Sequence, residues 1–219
     1  MSVEIEFCDT CTTKEEIVKK SEELKIWIEE AMKEQWNPMT YNNKEVEVFD
    51  QPTRNSKTYI MSKTIFKCNA EKTYNYIKVI TEENQKKYES GLMLFERDQR
   101  YEDVQVEVSR NMYKSPWPVA PREFVNCQNW YEKDGSFYFL QESINYPIKW
   151  NEVNKSFVRG YKKSGLVLKP IDENSCEVTR IVILDARGSV PTSLSVVVKK
   201  DDAGRLFEMK KFMEKVVNE

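Results

Sequence analysis

The sequence predicts a protein of the α+β class, with helices and antiparallel strands in separate parts of the chain. Apolar residues recur at helical spacing near both ends, in residues 13–32 and 191–217. Between them, residues 92–184 form a succession of short alternating segments separated by turns, as in an antiparallel meander. A sheet of this kind can curve over a long terminal helix and enclose a cavity.

The first helix is predicted over residues 13–32. Thr12 and Thr13 each precede a glutamate by three residues, which is the spacing of a capping box. The apolar residues that follow at helical spacing are Ile17, Leu24, Trp27, Ile28, Ala31 and Met32. Asn37-Pro38 ends the helical pattern.

The middle of the chain is predicted to be mostly strand, with one helix over residues 70–80. Residues 101–112 alternate most clearly, because Val104, Val106 and Val108 share one side. Lys133-Asp134-Gly135 predicts a hairpin turn. The predicted strands cover residues 45–49, 57–66, 92–97, 101–112, 123–131, 136–144, 156–168 and 175–184.

The last helix is predicted to begin at Pro191, which suits a first helical turn, and to end near Val217. Gly204 interrupts its apolar spacing and is predicted to bend it. Nothing in the sequence suggests a linker, so we expect one domain spanning residues 1–219, with its core at about 13–217.

Composition excludes several functions. The 34 basic and 36 acidic residues nearly cancel, so the charge does not favour nucleic acid. There is no histidine, which excludes Ser-His-Asp and Cys-His nucleophiles and histidine metal sites. Cys8 and Cys11 form a lone CxxC pair without the further ligands of a zinc site. We therefore expect no metal and no cofactor. The acidic N-terminus lacks a signal-peptide layout and no long apolar run occurs, which predicts a cytoplasmic protein.

Three segments resemble those of a known family: SPWPVAPREF (115–124), VRGYKKSGLVLKP (158–170) and NSCEVTRIVILDARGSVP (174–191). In this order and spacing they are similar to the START (StAR-related lipid-transfer) domain family. The resemblance implies a helix-grip fold, in which a curved antiparallel sheet wraps around a long C-terminal helix. It also implies an internal cavity for one sterol, phospholipid or sphingolipid, and a monomer that meets membranes transiently.

The physical chemistry of lipids fits that implication. A lipid with two acyl chains has about 30 methylene groups, and hiding them from water is worth about 20 kcal/mol or more. Only an almost closed cavity can do this, so some part of the protein must open to admit the lipid.

The resemblance also implies which residues face the lipid. Glu89 matches an acidic cavity position, and the alternative is a solvated carboxylate at a helix end. Amides stand where relatives carry charged or polar headgroup contacts, and an amide can bind a hydroxyl but neutralises phosphate poorly. Few aromatic residues occupy the positions that cage choline in relatives. The remaining matched positions are Gln85, Asn111, Phe124, Gln128 and Gln141.

Two arginines pose a question of orientation. Alternation places Arg110 on the side of the valines and Asn111 on the other side. Either a bulge shifts the register or Arg110 points inward, where it would need a partner. Arg180 raises the same question. Glu89 or a lipid phosphate would satisfy either arginine, and the alternative is that both lie on the outer face of the sheet.

The resemblance places Trp117, between Pro116 and Pro118, in a loop that meets the membrane; the alternative is a tryptophan packed on the domain. The predicted lid also includes Leu194, Val198 and Gly204 of the last helix. The leading functional hypothesis is a lipid carrier or sensor. The alternatives are an enzyme of the wider helix-grip superfamily, with Glu89 as general acid/base, and an interaction module that holds lipid only as filler.

A tryptophan that contacts membrane and one that packs in the core differ in one measurable way. We expect Trp117→Ala to slow lipid transfer between vesicles severalfold and to leave the melting temperature nearly unchanged, because an interfacial indole contributes to membrane residence. Truncating a core tryptophan would instead cost about 3–5 kcal/mol of folding stability. A large fall in melting temperature on thermal denaturation would identify Trp117 as a packing residue.

Overall fold

The structure, a computed structural model, describes residues 8–115, 119–147, 157–188 and 194–219. These ranges contain four helices and ten strands. The helices are α1 (Lys14–Ala31), α2 (Ala70–Lys78), α3 (Glu82–Lys86) and α4 (Leu194–Asn218). The strands are β1 (Asn37–Met39), β2 (Glu47–Arg54), β3 (Lys57–Phe66), β4 (Leu92–Tyr101), β5 (Val106–Tyr113), β6 (Arg122–Lys133), β7 (Ser136–Ser143), β8 (Val158–Arg159), β9 (Tyr161–Asp172) and β10 (Ser175–Asp185).

One curved sheet joins all of these strands, in the order β1-β2-β3-β10-β9-β7-β6-β5-β4. Every neighbouring pair along this path is antiparallel, and the short β8 pairs in parallel with β6. Strand β3, from the first third of the chain, therefore lies beside the last strand, β10, in the middle of the sheet. The predicted α+β class is confirmed.

Helix α1 covers the outer face of the sheet. It begins at a capping box, in which Thr13 Oγ1 accepts from the Glu16 amide at 3.2 Å and the Thr13 amide donates to the Glu16 carboxylate at 3.0 Å. Leu24 and Ile28 pack against β7, β9 and β10, and Ile17 packs against Val106 and Val108 of β5. Apolar contacts therefore hold α1 to the outer face, and Asn129 of β6 adds a buried hydrogen bond to the Ser21 carbonyl.

Helices α2 and α4 cover the opposite, inner face. The ring of Tyr74 in α2 lies 4.8 Å from that of Phe137 and 5.0 Å from that of Phe139, both in β7. The residues of α4 that join the same buried cluster are Ala203, Leu206, Met209 and Met213. Helix α4 continues without a break through Gly204.

Two predicted strands are divided in the structure, and two short elements were not predicted. Residues 102–105 form a turn with Gln105 at a φ of 55°, so the predicted strand over residues 101–112 is split between β4 and β5. The predicted strand over residues 156–168 is divided at Gly160, where a Cβ would lie only 2.5 Å from the Phe124 ring. The short elements β1 and α3 had too few residues to produce a periodic signal.

A second glycine fixes how closely α1 approaches the sheet. A Cβ on Gly165 of β9 would lie 2.5 Å from Ile28 Cδ1 and 3.0 Å from Leu140 Cδ2. Contacts that short do not occur between real side chains. Helix α1 can therefore lie this close to β9 only because Gly165 has no side chain.

We expect Gly165→Ala to lower the free energy of unfolding by about 1–3 kcal/mol, because the methyl group overpacks this seam. Ile28→Val removes Cδ1 and should restore part of the loss, so the double variant should lose less than the sum. Gly91→Ala is the control, since its nearest neighbour is Arg205 Nη2 at 3.8 Å. Urea denaturation measures the free energy of unfolding of these four variants and of the wild type. Strictly additive losses would mean that Ile28 does not limit the approach.

Candidate functional site

Two adjoining cavities lie between the inner face of the sheet and the helices. The first, here the α2 chamber, has a volume of about 80 Å³ and is bounded by Ile77, Phe139, Leu166 and Met209 among others. The second, the α4 chamber, has a volume of about 150 Å³ and lies between α4 and strands β5, β6 and β10. Lys162 and Arg180 line both chambers, so these two side chains form the wall between them.

The chambers are small for a lipid. A buried water needs about 10–15 Å³ of such volume, so together they have room for on the order of twenty waters. A lipid with two chains has about 30 methylene groups and a headgroup besides. The chambers would therefore have to widen to accept such a molecule.

Strand β5 answers the question of Arg110 and Asn111. Asn111 lines the α2 chamber, and the β5–β6 register is continuous, so no bulge is needed. Arg110 lies on the other face, where its guanidinium donates to Glu123 at 2.6 Å and lies 3.5 Å from Glu96. The expectation that Arg110 belongs to the cavity was wrong, because the valines beside it pack against α1 and not into the interior.

A chain of buried polar groups crosses four strands beside the α2 chamber. The amide of Lys162 donates to Ser143 Oγ at 2.9 Å, and Ser143 donates to Asn126 Oδ1 at 3.0 Å. Asn126 Nδ2 then donates to Asn111 Oδ1 at 3.1 Å. These hydrogen bonds fix the orientation of the Asn111 side-chain amide. Gln128 also lines the chamber and accepts a hydrogen bond from Ser109.

Glu89 follows α3 and faces the same chamber. Its carboxylate is buried and accepts a hydrogen bond from the Tyr113 hydroxyl at 2.7 Å. Burial, reinforced by the Glu89 charge, raises the pKa of Tyr113 well above its usual range, so this hydroxyl keeps its proton. Gln85 and Gln141 line the chamber too, and Gln85 Oε1 finds no hydrogen-bond partner in the described ranges. Glu89 is therefore a buried carboxylate and not a solvated one at a helix end.

Arg180 points inward and joins the sheet to α4. Its Nη2 donates to Asp202 Oδ1 at 2.9 Å, and its Nε lies 3.2 Å from Oδ2. Burial acts to raise the pKa of the Asp202 carboxyl, but the charge and hydrogen bonds of Arg180 outweigh it and lower that pKa. The pair is therefore ionised and bidentate in the interior of the protein.

The sequence prediction missed Lys162, Tyr113, Asp202 and Arg205, which all line the α4 chamber. One signal was present. In the Lys162-Lys163 pair, strand alternation must send one lysine to each face, and Ser164 and Leu166 on the side of Lys162 belong to the interior.

A family model for the START domain matches residues 10–218 of this chain. The chain belongs to the START domain family. No curated protein sequence matches it. The predicted resemblance is therefore confirmed over almost the whole chain, and the protein is a member of a lipid-binding and lipid-transfer family.

Solved START structures share its architecture. Human StAR-related lipid transfer protein 5 superposes with a TM-score of 0.80 at 16% identity, over 93% of this chain and 99% of that one. Human STARD10 gives a TM-score of 0.74 at 19% identity, over 96% and 83%. A StAR-related lipid transfer protein fragment from Xanthomonas axonopodis gives 0.67 at 15% identity, over 81% and 98%. These similarities confirm the helix-grip fold.

Each of the three START-like segments contributes residues to the α4 chamber, among them Phe124, Lys162 and Arg180. Val198 of α4 also lines it, and the Phe124 ring packs edge-on against Tyr113 with centroids 5.8 Å apart. Arg122 donates to the carbonyl oxygens of Ala120, Ala186 and Arg187, which ties β6 to the end of β10.

The predicted lid is only partly within the described ranges. Leu194 begins α4, and Gly204 lines neither chamber. Pro116, Trp117 and Pro118 lie outside the described residues. Among the described helices, none is long and apolar enough to cross a membrane.

The pair between Arg180 and Asp202 gives a stability prediction for this START domain. Asp202→Asn leaves a buried, unpaired guanidinium and should lower the free energy of unfolding by about 3–5 kcal/mol. The double variant Arg180→Met/Asp202→Leu should stay near the wild type. Asp201→Asn is the matched control, because Asp201 is exposed and its bridge to Arg205 is worth at most about 1 kcal/mol.

The same pair predicts that the free energy of unfolding falls at acid pH. Because the folded-state pKa of Asp202 is depressed, its contribution is present above the unfolded value of about 3.9 and is lost as pH falls through the folded value. Urea denaturation as a function of pH should therefore show a weaker loss in acid for the double variant. Equal acid sensitivity of the two proteins would remove Asp202 as a source of the effect.

Proposed function

We propose that this START domain holds one lipid in its two chambers and carries it between membranes. The observation that carries the proposal is the pair of adjoining chambers beside α4, whose linings combine apolar side chains with polar ones, including Lys162 and Arg180 at the wall that they share. Apolar side chains suit acyl chains or a sterol body, and fixed polar groups suit a headgroup or hydroxyl.

Entry of a lipid requires α4 to move from the sheet. The first turns of α4 carry two exposed apolar side chains, Val196 and Val197, next to Val198, which lines the α4 chamber. Exposed apolar residues on a helix beside a cavity favour contact with a membrane surface. This supports a transient, peripheral encounter at which α4 opens.

A carrier fits the interior better than an enzyme. The Glu89 carboxylate is engaged by Tyr113, and Tyr113 keeps its proton, so the pair is arranged to hold a polar group in place. We propose that the chain acts as one domain and as a monomer. Whether it delivers lipid or senses it depends on the exchange rate, which a transfer assay between vesicles measures.

The direct test is occupancy. The purified protein should release one lipid per chain on denaturing extraction, or should acquire one after incubation with phospholipid vesicles. Native mass spectrometry measures the mass added to the folded chain. A protein that remains empty after exposure to phospholipid, sphingolipid and sterol vesicles would contradict the proposal.

Filling a chamber should block binding. Ser164 is buried and lines the α2 chamber, so Ser164→Phe places a ring where the lipid would lie. We expect at least about a tenfold loss of occupancy, with a folding cost of about 1–3 kcal/mol from overpacking. Lys169→Phe is the control, since it adds the same ring at an exposed site of the same strand. Equal occupancy in both variants would show that the α2 chamber is not used.

A further inference from the structure

The wall between the chambers contains a buried lysine whose charge is not neutralised by an ion pair in the described part of the chain. Lys162 is 7% exposed, yet in the described ranges its Nζ makes no hydrogen bond and no ion pair. An uncompensated ammonium in a protein interior is costly, so such a group calls for a ligand or solvent in the cavity that it faces.

The neighbouring charged groups are already engaged elsewhere. Asp202 forms a bidentate ion pair with Arg180, and Glu89 accepts a hydrogen bond from the Tyr113 hydroxyl. Arg205 bonds Asp201 at 2.8 Å, one turn earlier in α4. Lys162 is thus the cation at this wall that is left facing open volume.

The charge lining the α4 chamber points the same way. Five cationic residues of the described chain line it, and two carboxylates do. Both carboxylates, Asp201 and Asp202, are bound to arginines, and Arg122 is bound to carbonyl oxygens, which cancel none of its charge. The remaining cations, Lys114 at the exposed edge and Lys162 inside, give the chamber an excess of positive charge that favours an anion.

The ring of Tyr113 argues against a cationic headgroup. The Arg205 guanidinium lies 5.0 Å from the ring centroid, and Lys162 Nζ lies 5.7 Å from it. The protein's own cations therefore already use this aromatic ring, which a quaternary ammonium would otherwise need.

We propose that Lys162 binds the anionic head of the carried lipid, an oxyanion without an attached cation that is either a phosphate monoester or a carboxylate, at the wall between the two chambers. This inference rests on the proposed carrier function and names the class of its cargo. A charge-assisted bond of this kind is stronger than a neutral one and requires an ionised ligand.

The ionisation of Lys162 makes the site sensitive to pH. Burial lowers the pKa of Lys162 to about 8, and the Glu89 charge opposes that shift. The charged and titratable groups around it are Glu89 after α3, Tyr113 on β5, Arg180 on β10, and Asp202 and Arg205 on α4. The proton on Lys162 is lost as pH rises through its pKa, so anion binding should weaken between about pH 7 and about pH 9.

The experiment uses the full chain and three kinds of vesicle. These contain phosphatidylcholine alone, phosphatidylcholine with an equal amount of phosphatidic acid, or phosphatidylcholine with an equal amount of oleic acid. After the vesicles are removed, native mass spectrometry identifies the bound lipid. We expect the protein to select the anionic lipid over phosphatidylcholine, and the arm that loads it identifies a phosphate or a carboxylate.

Variants assign the selection to Lys162. Lys162→Met should reduce the anionic preference at least about tenfold, and Lys162→Arg should retain the preference. Lys163→Met is the matched control, because Lys163 points to the outer face and pairs with Glu142 at 3.2 Å. If Lys162→Met fails to fold, the pH series on the wild type decides.

The outcomes separate the two proposals. Uptake of one phosphatidylcholine per chain with no anionic preference, or a preference that Lys162→Met leaves intact or that does not weaken toward pH 9, would overturn the role of Lys162 and leave the carrier function standing. Uptake of no lipid from any vesicle would overturn the carrier function itself.

Discussion

The buried ion pair of Arg180 and Asp202 is the contact on which the arrangement of the interior depends. Strand β10 lies in the middle of the sheet, and Asp202 lies in the first half of α4, so this bidentate pair sets the position of the helix across the strands. Two further bridges support it, from Lys199 to Asp50 at 2.5 Å and from Lys210 to Glu45 at 3.2 Å. Because Arg180 also lines both chambers, the group that holds α4 down is the group that divides the cavity.

Much of the fold could be predicted because it is determined locally. The capping box at Thr13 needs only two side chains and the adjacent amides, and both hydrogen bonds are present. The hairpin at Asp134 and Gly135 needs two residues with positive φ, and they have values of 50° and 69°. The last helix follows from its apolar spacing. Signals of this kind depend on residues a few positions apart, and a single sequence contains them in full.

The candidate site was harder to predict, because alternation tells which residues share a face but not which face encloses the cavity. In β5 the valines are buried under α1 and the polar residues face the interior, the reverse of the usual arrangement of a sheet with one solvated face. Arg110 was misplaced for that reason. Lys162 was missed for a related reason. Its place in the site depends on neighbouring residues of β5, β10 and α4, and no spacing along the chain shows that these lie together.

The two chambers also affect how the protein responds to hydrostatic pressure. Space inside a folded protein is eliminated when the chain unfolds, so larger internal voids make the volume change of unfolding more negative. The apolar side chains of Phe139, Leu166 and Met209 in the lining cannot bind water well, so the space beside them counts as void. Compression should therefore unfold the empty domain at pressures that the loaded domain withstands, even where both tolerate the same heat.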